Sequence, residues 1–150
     1  MLASTADRVR ENTAECVNEE IRSRTAATVA RVIHAGPDAI SERLRALDAE
    51  WDIERYIETV APSLTLTGIT LGLTTNRKWF ALPFLVQGFL LQHAVQGWCP
   101  PLPILRRLGI RTASEIDEER NALKAARGDY RRVVGQNGQL VSQALAAAQH

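Results

Sequence analysis

Residues 59–76 read TVAPSLTLTGITLGLTTN and residues 79–105 read WFALPFLVQGFLLQHAVQGWCPPLPIL; between Thr59 and Leu105 the only charged residues are Arg77 and Lys78. This cleared stretch decides the fold class. As a helix, the first run would be about 27 Å long at about 1.5 Å per residue, close to the roughly 30 Å of a bilayer's hydrocarbon core. The second run, Trp79 to Trp98, has the length of a crossing and is bracketed by two interfacial-type tryptophans. Asn76-Arg77-Lys78 is a tight polar connection of the kind that joins antiparallel neighbours. Three prolines within Pro100-Pro101-Leu102-Pro103 end the second helix. The expected fold is therefore all-α, a two-helix transmembrane hairpin with amphipathic cytoplasmic helices on both sides.

Charge outside the hairpin supports that orientation. Arg45, Arg55, Arg106, Arg107 and Arg111 flank the spans, against Arg77 and Lys78 in the turn, which predicts a multi-pass protein of the cell inner (plasma) membrane with both termini cytoplasmic. The whole chain has a net charge of +1, but residues 1–58 hold eight Arg against twelve acids and residues 106–150 hold eight Lys+Arg against five acids. That near-balance gives no reason to expect a nucleic-acid partner.

Working outward, residues 1–50 read as an N-terminal amphipathic helical segment. Val9, Cys16, Val17, Ile21 and Val32 recur at helical spacing in a helix expected from Ser4 to about His34. Gly36-Pro37 separates it from a second helix with the stripe Ile40, Leu44, Leu47 and Trp51. Beyond the hairpin segment, 51–112, Thr112-Ala113-Ser114-Glu115 has the form of a capping box and opens a C-terminal cytoplasmic helix within 113–134 that ends near Gly128. GQNGQ after Val134 reads as a linker, and 135–150 as a flexible tail. The N-terminus lacks the basic and apolar regions of a secretory signal.

Few residues carry chemistry. Gly68 and Gly72 form a GxxxG that suits close helix packing, with Gly88 as a third small residue in the partner helix. Gln92, His93 and Gln96 are polar groups inside the second apolar helix, suited either to inter-helix hydrogen bonds or to lining a solute path. Cys99 follows directly, either as a half-buried residue at a helix end or as an accessible thiol; Cys16 is expected to be a core residue. Two unlike cysteines argue against a disulfide scaffold, and His93 with Cys99 is a poor metal spacing, so neither a metal nor another cofactor is expected. No nucleophile–base–acid set, carboxylate pair or phosphate loop is present, so no catalytic residue is assigned. The acids Asp52, Glu54 and Glu115 to Glu119 read as solvated faces or helix-start charges.

The string GFLLQHAVQGWCPPLPILRRLGIRT, with the Thr/Gly-rich run before it, resembles the YgaP-like transmembrane domain family over roughly residues 51–112. Gly97-Trp98-Cys99 matches the family's Gly-aromatic-Cys motif, and Leu102 to Ile110 the stretch after it. The resemblance implies a short membrane hairpin of unknown activity. In some relatives the hairpin follows a rhodanese domain, which implies sulfane-sulfur or thiocyanate handling, but no rhodanese-like cysteine loop is present here. The expected function is a non-enzymatic membrane-anchored interaction or oligomerisation module. Its expected partners are membrane lipid and a second copy or another membrane protein. The alternative is a sulfur-related membrane protein using Cys99 at the membrane edge.

Overall fold

In a computed structural model the structure describes residues 7–132. The linker and tail expected beyond Val134 lie outside the described residues. Among the described residues the fold is all-helical: α1 (Arg8–Glu11), α2 (Glu15–Ala35), α3 (Pro37–Ala49), α4 (Ile53–Thr74), α5 (Ala81–Gln96), α6 (Leu102–Arg107) and α7 (Ala113–Arg127), with short 3-10 turns at Arg77–Phe80 and Asp129–Arg132. The chain divides into two compact units, Met1–Ser23 with Trp51–Glu115 and Arg24–Glu50 with Ile116–His150.

The second of these units is built on the α3 stripe. Ile40, Leu44 and Leu47 pack with Val32 of α2 and with Ile116 and Leu123 of α7. Trp51, the expected fourth member of the stripe, falls after α3; it stacks with Tyr56 at 5.4 Å between ring centroids and carries the Arg55 guanidinium at 4.4 Å. Arg43 forks onto the buried Glu119, donating through Nε at 2.7 Å and through a terminal nitrogen at 2.9 Å.

The first unit contains the hairpin. Asp52 caps α4 by accepting from the Arg55 amide at 2.8 Å, so the helix starts well before the uncharged run and buries Ile53, Ile57, Ala61, Gly68 and Gly72 along one side. α5 returns antiparallel, since Thr65 faces Gln87, Gly68 faces Pro83 and Gly72 faces Phe80. A Cβ on Gly68 would lie 2.4 Å from the Pro83 ring, and one on Gly72 would lie 2.9 Å from the Phe80 ring. The GxxxG therefore serves packing within the hairpin. A Cβ on Gly88 would meet nothing within 4 Å, so Gly88 has no packing neighbour there. Below the hairpin, Val9, Ile53, Ile57, Cys99 and Leu102 form a small core.

The membrane-crossing expectation is corrected by the structure. Among the described residues no helix is long and apolar enough to cross a membrane, so a multi-pass inner-membrane protein with both termini cytoplasmic is not what these helices provide. The reasons are local. The 3-10 turn takes up Trp79 and Phe80, and Gly97 ends α5 in the left-handed conformation. What remains of α5 is 16 residues, about 24 Å against the roughly 30 Å required. α4 is longer, but its first turns carry Glu54, Arg55 and Glu58, and the rest is diluted by Pro62 and hydroxyl residues. Thr59, Ser63, Thr67, Thr70 and Thr74 each donate to the carbonyl four residues back at 2.7–2.9 Å.

The first helix also differs from the sequence expectation. It breaks between Glu11 and Glu15 because side chains there compete for the helix's own carbonyls: Asn12 donates to Arg8 O at 2.8 Å and Thr13 to Val9 O at 2.7 Å. Cys16, expected in a core, is exposed.

Candidate functional site

Three features of the first unit bring a thiol, an imidazole and a carboxylate together. The Asp52 cap sets the start of α4 and with it the position of Glu54. The antiparallel return of α5 places His93 opposite, with His93 Nε2 2.9 Å from a Glu54 oxygen. The left-handed Gly97, at φ 78°, then turns the chain so that Cys99 comes back beside the His93 ring. His93 and Cys99 are each 2 % exposed.

Charge around this cluster is organised by α1. Arg8 donates to the second Glu54 oxygen at 3.0 Å and to Ala94 O at 3.3 Å, and Asn12 donates to Gln96 O at 2.7 Å. Together they satisfy carbonyls that the end of α5 would leave bare. The Cys99 sulfur, and then the Glu54 carboxylate, raise the His93 pKa to about 9 against the opposing effect of burial. Nδ1 of His93 nevertheless makes no hydrogen bond, so the sulfur acts through proximity and the Glu54 bond is the fixed contact. Glu54 is held below the usual carboxylate range by the His93 bond, and, against burial, by Arg8.

Gly97 is indispensable to this geometry for two reasons. Its φ is positive, and a Cβ there would lie 2.5 Å from Arg8 O. Gly97→Ala is expected to destabilise the fold by about 2–3 kcal/mol, read as a lower denaturant midpoint in urea titration followed by circular dichroism. An unchanged midpoint would mean that α1 does not sit against α5 in this way.

Beside the cluster lies a cavity of about 370 Å³. Cys99 lines it together with Tyr56, Val60, Ala61, Leu85 and Phe89, and among the described residues no charged side chain lines it. The other polar residues expected at the site are placed elsewhere. Gln92 is half-buried and Gln96 exposed, and what Gln96 contributes is its main-chain carbonyl. Gln87, a further polar residue of α5, donates to the Thr65 hydroxyl at 2.8 Å. Among the described residues no group of three or more His, Cys, Asp or Glu side chains is arranged to hold a metal ion.

Sequence reasoning missed Glu54, Arg8 and Arg106. The signal for Glu54 was present: three residues before Ile57 and seven before Ala61, it lies on the buried stripe of α4. Arg106 is four residues after the buried Leu102 and occupies a second polar cluster, in which all five guanidinium N–H groups are used. They bond Glu115 twice at 2.7 and 2.8 Å, Asn18 at 2.9 Å, Ile110 O at 3.1 Å and Thr13 at 3.2 Å. Glu115 also completes the expected capping box, accepting from the Thr112 amide at 2.8 Å while its own amide donates to the Thr112 hydroxyl at 3.2 Å. Glu115 to Glu119 read from sequence as solvated faces or helix-start charges; Glu115 does stand at the helix start, and both Glu115 and Glu119 are buried.

No family model, curated protein or solved structure matches the chain.

Proposed function

We propose that this protein is a non-enzymatic interaction module that self-associates through the α4–α5 hairpin. The observation that carries this reading is the exposure of large apolar side chains there. Leu66 and Leu73, seven residues apart on α4, and Phe84 and Leu91, seven apart on α5, are between 66 and 84 % exposed. They lie on the outer edges of the two helices, since the inner edges meet each other through Gly68, Gly72 and Pro83. Apolar surface of this extent marks an interaction site. Its partner has to be apolar and almost free of charge, and the hairpin of a second copy offers such a surface on either edge.

Sedimentation velocity over a range of concentrations tests this. The parent chain is expected to form dimers or larger species, and Leu73→Lys with Phe84→Lys to yield monomers. Because these side chains touch solvent in the single chain, the substitutions should leave its own stability within about 0.5 kcal/mol. A parent chain that stays monomeric at every concentration, or that floats with phosphatidylcholine vesicles as a monomer, overturns the proposal.

The sulfur reading has one observation in its favour, the imidazole beside the Cys99 thiol. Persulfide labelling of the parent chain against Cys99→Ser tests it, and equal labelling of both removes it.

A further inference from the structure

The α4–α5 hairpin has a second apolar face, apart from the one that carries Leu66, Leu73, Phe84 and Leu91. At about 100° per residue, Leu64 lies about 160–180° round α4 from Leu66 and Leu73, and Phe89 about 140–160° round α5 from Phe84 and Leu91. Val60, Leu64, Leu85 and Phe89 are exposed and line one cavity, so they share this side of the hairpin. Pro101 and Leu105 carry the apolar lining past the end of α5, to where Ile104 and Leu108, 63 and 70 % exposed, flank the exposed Arg107. This is the foot of the hairpin, since the Ile53 amide at the start of α4 donates to Arg111 O at 2.9 Å. At the opposite end, the tip, Arg77 and Lys78 are exposed beside Trp79 and Phe80. Among the described residues none of these three cations has a side-chain partner, and no acid occurs between Thr59 and Leu105.

Unpaired cations at both ends of an apolar face fit a plane of anionic headgroups. The tip cations and Arg107 stand at opposite ends of α5, whose 16 residues measure roughly 24 Å, so no single small anion meets both. A second copy of the hairpin brings no acid to them either. We propose that this face lies flat on an anionic lipid surface, its apolar side chains at the acyl boundary and Arg77, Lys78 and Arg107 among the headgroup phosphates. Burial of apolar area together with attraction of Lys and Arg to anionic lipid is what holds an in-plane helix to one leaflet. Trp79 at the tip suits the headgroup level. Docking of this kind needs no span, and no described helix provides one. Self-association through Leu73 and Phe84 uses the opposite face, so lipid docking does not depend on it.

Vesicle flotation of the full chain tests this, with vesicles of phosphatidylcholine alone and of an equimolar mixture with phosphatidylglycerol. The chain is expected to float with the mixed vesicles at low salt and to stay behind with phosphatidylcholine. Added salt should release it, because screening shortens the reach of the surface potential. Each cation near the surface contributes about fivefold, so Arg107→Gln should weaken binding about fivefold and Arg77→Gln with Lys78→Gln about 20-fold. Leu64→Glu with Leu85→Glu should abolish flotation and leave the association state equal to the parent's. Leu73→Lys with Phe84→Lys, on the other face, should still float, so loss of self-association and loss of lipid docking read out separately. Circular dichroism checks that each variant keeps its helix; the Arg77 and Lys78 pair, exposed and unpartnered, decides the matter if the Leu64 and Leu85 pair does not fold. Equal flotation with both vesicle types, a parent chain left behind by both, or binding unchanged in Arg77→Gln with Lys78→Gln overturns the proposal. Retention of the chain by polyglutamate but not by vesicles also overturns it and assigns the cations to an acidic protein.

Discussion

Arg106→Ala is expected to lower the unfolding free energy by about 3–5 kcal/mol, the largest effect of any single substitution considered. Arg106 is 1 % exposed, and its loss strands several groups at once. The Glu115 carboxylate would lose both guanidinium bonds and keep the Thr112 amide, and the Asn18 carbonyl oxygen would lose its donor. Burial works to raise the Glu115 pKa, but Arg106, the Thr112 amide and the Arg10 charge outweigh it and hold the carboxyl below its ordinary value. Its contribution is thus present above the unfolded carboxylate pKa and is lost as pH falls through the lower folded one. In Arg106→Ala that acid sensitivity should weaken or reverse. The double variant Arg106→Met with Glu115→Leu should recover much of the loss, since an apolar pair can replace a buried ion pair at little cost. About 1 kcal/mol of capping energy at α7 would stay missing. Urea titrations at pH 7 and pH 4 give both answers. A single variant as stable as the parent would show that the cluster is not formed.

The second large effect runs in the opposite direction on the pH scale. His93 has a folded pKa of about 9 against an ordinary 6.5, so the folded state holds the proton more tightly than the unfolded chain. Its contribution is complete below about pH 6.5 and is lost as pH rises to about 9, amounting to about 3 kcal/mol. Cys99 after α5 and Glu54 from α4 cause the shift, and burial of the ring opposes it. Denaturation midpoints between pH 6 and pH 9.5 should fall steadily in the parent and stay nearly flat in His93→Gln. A flat parent profile would mean that Glu54 and His93 do not pair.

The two polar clusters also show where sequence reading stops. The helices were legible because apolar spacing and end signals are local: Ile40, Leu44 and Leu47 marked α3, and Thr112 with Glu115 marked the start of α7. The antiparallel hairpin followed from the short polar turn Asn76 to Lys78. The missing step was the exact length of each helix. A 3-10 turn at Trp79 and a left-handed Gly97 removed four residues from the helix expected over Trp79 to Trp98, and Asp52 started α4 among charged residues. Hydropathy counts residues, whereas a crossing depends on where the helix begins and ends. The Cys99, His93 and Glu54 site was legible in two of its three members. Glu54 was hidden because exposed acids at helix starts are common, and only the partner strung along α5 distinguishes this one.

The Arg106 cluster has a consequence for the chain during its synthesis. Asn18 and Arg106 are 88 residues apart in sequence. At roughly 5–20 residues per second, Asn18 waits roughly 4 to 18 s for its partner to be made. The apolar hairpin is synthesised within that interval, ahead of the guanidinium that ties Thr13, Asn18 and Glu115 together. A holdase that shields the hairpin would act in that window, before the last polar tie can close.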